Sequence, residues 1–170
     1  MESILGRIMA TVYGLLALGG VILLMSTALD SSRISQTGQD MGVLATNTRS
    51  QFQQSQTLYA NFTNANAAVL VQSNIIPADM WRAGAIVDQW NDPVTISATT
   101  PTGMATNSAF QVQLGGPNLS AASCTKLVTS LTGYMSLTVN GVVFDQSNLP
   151  DPTAAGSACA TSTTITLVYQ

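Results

Sequence analysis

Ile8–Leu29 reads IMATVYGLLALGGVILLMSTAL, 22 residues without a charge or a proline. As a helix rising ~1.5 Å per residue it is roughly 33 Å long, enough for the ~30 Å hydrocarbon core of a bilayer. Only Glu2 and Arg7 carry charge ahead of it. A cleaved signal peptide has an apolar core of only ~7–15 residues, followed by a small-residue cleavage site. Here the run is longer, and Ser26, Thr27 and Ala28 continue the helical pattern instead of ending it. The segment therefore reads as retained, with any leader ahead of Met1 absent or already removed.

Beyond Leu29 the pattern becomes one-sided. Ile34, Met41, Leu44, Ala45, Thr48, Phe52, Ser55 and Tyr59 recur at helical spacing, while Ser35, Gln36, Gln39, Asp40, Asn47, Gln53 and Gln54 fill the opposite face. Gly38 and Gly42 weaken the helix locally, and no proline occurs before Pro77. The pattern predicts one helix over residues 2–60, apolar all round in its first half and amphipathic in its second.

The remaining residues read as a mixed head. Residues 65–72 (ANAAVLVQ) form a short helix or buried run, and Pro77 and Asp79 open a turn through Met80 and Trp81. Strand signals follow at Thr95-Ile96-Ser97 and at Phe110, Val112 and Leu114, which alternate with Gln111 and Gln113 before Gly115-Gly116. Ser120 is placed to cap a helix with Ala121, Cys124, Leu127, Val128 and Leu131 on one face, ending at Gly133. Asn140-Gly141, between Leu137-Thr138-Val139 and Val142-Val143-Phe144, is the strongest hairpin signal in the chain. A loop with Pro150 and Pro152 leads past Cys159 to a last strand over residues 163–169. The fold class is α+β: a long hydrophobic-then-amphipathic N-terminal helix on a head with a mostly antiparallel sheet.

Composition narrows the function. Five basic and eight acidic residues, no histidine and a pI near 4.4 argue against binding a phosphate backbone. Charged residues are 8% of the chain, against ~25% in ordinary soluble domains, so Ser, Thr, Asn and Gln must supply the surface polarity. That suits an exported, packed protein. Cys124 and Cys159 lack CxxC spacing and nearby histidine, so a zinc site is short of ligands. One disulfide in an oxidising compartment is the simplest reading, with a redox pair as the alternative.

Catalytic residues are scarce. Lys126 is the only lysine, the head has no glutamate, and its serines lack a base for a nucleophilic triad. Asp79, Asp88 and Asp92 flank Trp81 and Trp90, but loop carboxylates at such spacing read as turn formers and solvated surface rather than a cation site. The two tryptophans read as core or subunit-interface residues rather than as a ligand stacking platform. Asn61-Phe-Thr and Asn118-Leu-Ser match a glycosylation pattern that is common by chance. No catalytic residue, metal or cofactor is expected.

Taken together, several stretches resemble type IV pilins, and the details favour the type IVb branch, which includes the toxin-coregulated and bundle-forming pilins. They are the apolar helix from Met1 into Ala28-Leu29-Asp30-Ser31 and its amphipathic continuation. Phe110-Gln-Val-Gln-Leu-Gly115 follows, leading into Ser120-Ala-Ala-Ser-Cys124-Thr-Lys-Leu-Val128, with a second cysteine near the end of the chain. The resemblance covers the whole chain in architecture, and in motif the N-terminal segment and the Cys124 region. The low charge and Ser/Thr/Gln-rich head also resemble thin-pilus pilins of conjugative plasmids.

The resemblance implies a division into a membrane and filament-core helix (residues 1–30), its amphipathic half (31–60) and a head (61–170). It implies that a prepilin peptidase processes and N-methylates at Met1, and that the subunit waits in the inner membrane. An assembly platform then drives it into a homopolymeric surface filament used for adhesion, aggregation or conjugative mating. Ile8, Leu15, Leu16, Val21, Ile22, Leu23 and Leu24 would build the filament core. Gly14, Gly19 and Gly20 mark where that helix would melt on assembly, or else small residues for close helix packing. The family usually has Glu as the fifth mature residue; here Leu5 stands there, and Glu2 and Arg7 are the candidate partners for charge pairing between or within subunits. A minor pilin or pseudopilin is the alternative, and a membrane-anchored periplasmic enzyme would need a polar cluster that the sequence lacks.

Overall fold

A computed structural model describes residues 28–160 and 164–170 of the chain. Ile34–Gln170 form one compact unit, and the residues before them belong to another. Of that first unit, residues 28–33 are described: they are helical, and Asp30 and Arg33 form an exposed i,i+3 ion pair at 3.9 Å.

Helix α1 covers residues 28–52. From Ile34 onward it belongs to the head and buries one stripe, Ile34, Thr37, Met41, Leu44, Ala45 and Thr48. Each fully buried Met or Leu side chain contributes about 2 kcal/mol of apolar transfer energy, which outweighs the propensity cost of Gly38 and Gly42. The helix stops at residue 52, short of the expected 60, with Ser55 and Tyr59 outside it. The Ser55 hydroxyl binds the Thr57 main-chain N–H and hydroxyl, and Leu58 adopts φ +49°. Such local side-chain bonds offer the backbone an alternative to the helix. The reversal lets Phe52, Tyr59 and Phe62 cluster beside Phe110.

A 3₁₀ turn, Leu58–Asn61, and a second, Asn64–Asn66, lead into α2 (Ala67–Gln72). A third turn, Ala78–Met80, precedes a two-stranded ribbon of β1 (Trp81–Arg82) and β2 (Ala85–Ile86). The main sheet contains β3 (Thr95–Thr99), β4 (Ala109–Leu114), β5 (Ser136–Val139), β6 (Val142–Asp145) and β7 (Ile165–Tyr169). Its order is β3-β4-β7-β5-β6, antiparallel throughout. The last strand in sequence therefore lies at the centre of the sheet.

Register makes the core legible. Ile96, Val112, Leu167, Leu137 and Phe144 stand opposite one another in a single row across all five strands, and each is buried. On the reverse face the neighbouring row is Thr95, Gln113, Thr166, Thr138 and Val143. The strands' period of two thus separates an apolar face from a face of hydroxyls and amides. Asn140 and Gly141 take φ +48° and +88°, the left-handed pair that a two-residue hairpin turn demands.

Two later helices have side-chain caps. In α3 (Ala121–Ser130) the Ser120 hydroxyl accepts from Ser123 N–H at 3.1 Å, as its sequence implied. The expected loop after Pro150 instead contains α4 (Pro152–Ala158), with Asp151 accepting from Thr153 and Ala154 N–H. Asp at the cap and Pro at the first helical position are a readable start signal, obscured here by Pro150 and Gly156 on either side.

Candidate functional site: the clasp on the helix and the disulfide-closed half of the head

The head holds α1 at two places along its length. Midway along its described residues, Asp40 is buried on the helix, and its two carboxylate oxygens accept from Gln36 Nε2 and Gln89 Nε2, both at 3.0 Å. The same two amides also reach Asp79 Oδ2 at 3.2 Å. Arg82 closes the cluster through Asp79 main-chain oxygen and Gln89 Oε1. Two carboxylates thus share two amide donors without a guanidinium bound to either. Desolvation raises the Asp40 carboxyl above its usual range, the Gln89 bond opposes this, and the nearby Asp79 charge adds to it.

One end of α1 is held differently. Arg49 donates from Nε to the Gln170 main-chain oxygen and from Nη2 to Gly133 O at 3.0 Å. Its guanidinium carbon lies 5.6 Å from the centroid of the Tyr169 ring. Tyr169 is 1% exposed and stacks on Phe110 at 5.3 Å, and burial raises its phenol well above the ordinary range. One arginine therefore ties the helix to the end of β7 and to the turn after α3.

The disulfide is present. Cys124 on α3 and Cys159, which caps the end of α4, are bridged and fully buried. The loop they close contains the rest of α3, the β5–β6 hairpin and α4. Asn140, at the hairpin tip, donates to Ala158 O at 2.7 Å and accepts from Thr164 N–H at 2.9 Å. A second clamp thereby spans the same region.

Two of the loop aspartates differ from their sequence reading. Asp79 is exposed, as expected, but Asp88 and Asp92 are 2% and 1% exposed rather than solvated. Asp88 Oδ1 accepts from the N–H groups of Trp90 and Asp92, and the Asp92 carboxylate holds Asn118 through its N–H and side-chain amide. A Cβ on Gly116 would stand 2.6 Å from Asp92 Cγ, so only glycine allows this approach. The pair forms the local turns read from the sequence, and Asp92 also joins two loops, which sequence spacing does not reveal. Burial raises Asp88. Among the described residues, no three His, Cys, Asp or Glu side chains converge as a metal site. Trp90 is core, as expected, whereas Trp81 is only half-buried.

The other sequence-selected residues, Met1, Glu2, Arg7, Ile8, Gly14, Leu15, Leu16, Gly19, Gly20, Val21, Ile22, Leu23 and Leu24, lie outside the described residues. Among the described residues no helix is long and apolar enough to cross a membrane.

A family model described as PilS N terminal matches residues 31–170. The chain belongs to this PilS family. Two solved structures share the fold. The type IV b pilin from Salmonella typhi has a TM-score of 0.58 at 20% identity, with 80% of this chain and 97% of that one covered. TcpA, a type IV pilin from Vibrio cholerae El Tor biotype, has a TM-score of 0.61 at 17% identity, with 81% and 98% covered. No curated protein sequence matches the chain. The PilS-family chain thus has the type IV pilin fold of the b class, with the long helix, antiparallel head and late disulfide read from its sequence.

Proposed function

We propose that this PilS-family chain is the major pilin of a type IVb pilus, polymerising through its N-terminal helix into a surface filament for adhesion, aggregation or conjugative mating. The carrying observation is the family match, supported by the way the head grips residues 34–52 and makes that part of the helix integral to it. Residues 1–30 form the membrane and then filament-core segment, 31–60 its amphipathic continuation and 61–170 the head. Ile8, Leu15, Leu16, Val21, Ile22, Leu23 and Leu24 pack against neighbouring helices, and Gly14, Gly19 and Gly20 locate the melted stretch. Glu2 and Arg7 meet as charge partners, since an unpaired charge in an apolar core is costly.

Its partners on this reading are copies of itself, a prepilin peptidase acting at Met1 and an assembly platform in the inner membrane, from which it passes to the cell exterior. The modest head favours the major subunit over a minor pilin or pseudopilin. Mass spectrometry of filaments sheared from cells tests the proposal. The chain should be their abundant component, with a methylated N-terminus at Met1 and an intact Cys124–Cys159 bridge. Its absence from sheared filaments would overturn the reading.

A further inference from the structure

Between the β1–β2 ribbon and the start of β3 lies a half-open groove of about 240 Å³, lined chiefly by Asn64, Trp81, Ile86, Pro93, Val94 and Thr95. Ile86 and Val94 are buried and give it an apolar floor. Three lining side chains retain unused polar groups. Asn64 Oδ1 accepts from Ile96 N–H at 2.6 Å, but its NH₂ is unengaged, as are the Trp81 indole N–H and the Thr95 hydroxyl. Among the described residues, no charged side chain lines the groove. Arg82, adjacent in sequence, is occupied by Asp79 and Gln89, and Asp92 is buried against Asn118.

We propose that this groove binds one neutral pyranose unit of an uncharged glycan. A concave apolar surface with a few unpaired hydrogen-bonding groups is the usual make-up of a small-ligand site. Trp81 offers a large flat face against which the C–H face of a sugar ring packs, and Asn64 and Thr95 meet its hydroxyls. A charged ligand entering this uncharged lining loses hydration without gaining an opposite charge. An apolar peptide side chain would leave the three polar groups unpaired, which is also unfavourable. The site concerns the head of a single chain, so it stands or falls separately from the filament proposal.

The test uses the full chain carrying 5-fluorotryptophan, in micelles of a detergent without a sugar headgroup. Trp81 and Trp90 then give two fluorine resonances, and methyl glycosides of glucose, galactose and N-acetylglucosamine are the probes. At least one should shift the Trp81 resonance saturably, with a dissociation constant on the order of 1 mM, while Trp90 stays unchanged. Glucuronic acid should give no shift. Thr95→Val keeps the β-branched shape on an edge strand and removes the hydroxyl; it should weaken binding several-fold with the unfolding midpoint unchanged. Saturation transfer to the sugar protons needs no tryptophan probe, and it should be lost in Trp81→Ala. The proposal is overturned if no neutral glycoside shifts Trp81, if glucuronic acid binds equally well, or if saturation transfer persists in Trp81→Ala.

Discussion

Replacing both cysteines, Cys124→Ala with Cys159→Ala, should lower the stability of the head by about 4 kcal/mol. The bridge has a sequence separation of 35. Loop-closure entropy for a loop of that size gives roughly 3.8 kcal/mol at 25 °C, in a model that places the effect in the unfolded chain. Both sulfurs are fully buried, but each Cys→Ala change removes a single heavy atom, so the packing loss is small beside the loop term. The Asn140 clamp and the cap on α4 remain in the variant and keep the native state intact. For a chain of this size each kcal/mol moves the melting temperature by roughly 2–4 °C, so a decrease of about 8–16 °C is expected. Urea unfolding followed by tryptophan fluorescence is the assay. Trp81 and Trp90 both lie outside the closed loop, so they report loss of the whole head rather than fraying of α4. Hydrogen exchange over residues 152–158 reports that fraying separately. A shift below about 1 kcal/mol would refute the loop-closure reasoning.

Asp40→Asn should remove the pH dependence that this carboxyl gives to the stability of the head. The native Asp40 carboxyl titrates above its unfolded range, so the folded state favours the protonated form and stability falls as pH rises from the unfolded pKa through the folded one. Asn keeps the size and cannot titrate, so the variant's unfolding midpoint should lose much of that acid-side rise, whatever the loss of one acceptor for the Gln36 and Gln89 amides costs; an unchanged acid-side rise would contradict this. Arg49→Lys keeps the charge but not the fork that reaches Gln170 and Gly133, and should cost about 1–3 kcal/mol by urea unfolding. Equal stability would show that the strap contributes nothing. Leu16→Asp or Val21→Asp should abolish filaments while leaving a folded head, and normal piliation of either would count against the assembly reading. Glu2→Gln should reduce filament yield, and a wild-type yield would count against its pairing with Arg7.

Much of this fold is written locally. The helical spacing from Ile34 to Phe52, the Ser120 cap, the alternation at Phe110–Leu114 and the Asn140-Gly141 turn each act within a few residues, so a single chain displays them. Where the reading missed, the deciding contacts were distant. The helix ends at residue 52, where the Ser55–Thr57 bonds turn the chain, and the reversed segment packs Tyr59 and Phe62 on the distant Phe110. Asp92 is a buried anchor rather than a solvated surface group through Asn118 and Gly116, more than twenty residues away, and Asp88 is buried beside it, with the Gly115 backbone among its partners.

By itself, then, the sequence determined most of the element types, the apolar segment over 8–29, two late cysteines suited to a disulfide and the family resemblance, because period, charge and cap chemistry are short-range. The tertiary structure decided what no period encodes. It placed the last strand at the centre of the sheet, gave Arg49 a partner 121 positions away, and set two carboxylates on a common pair of amides. Such contacts join segments far apart in the chain, and only folding brings their complementary groups within hydrogen-bonding distance.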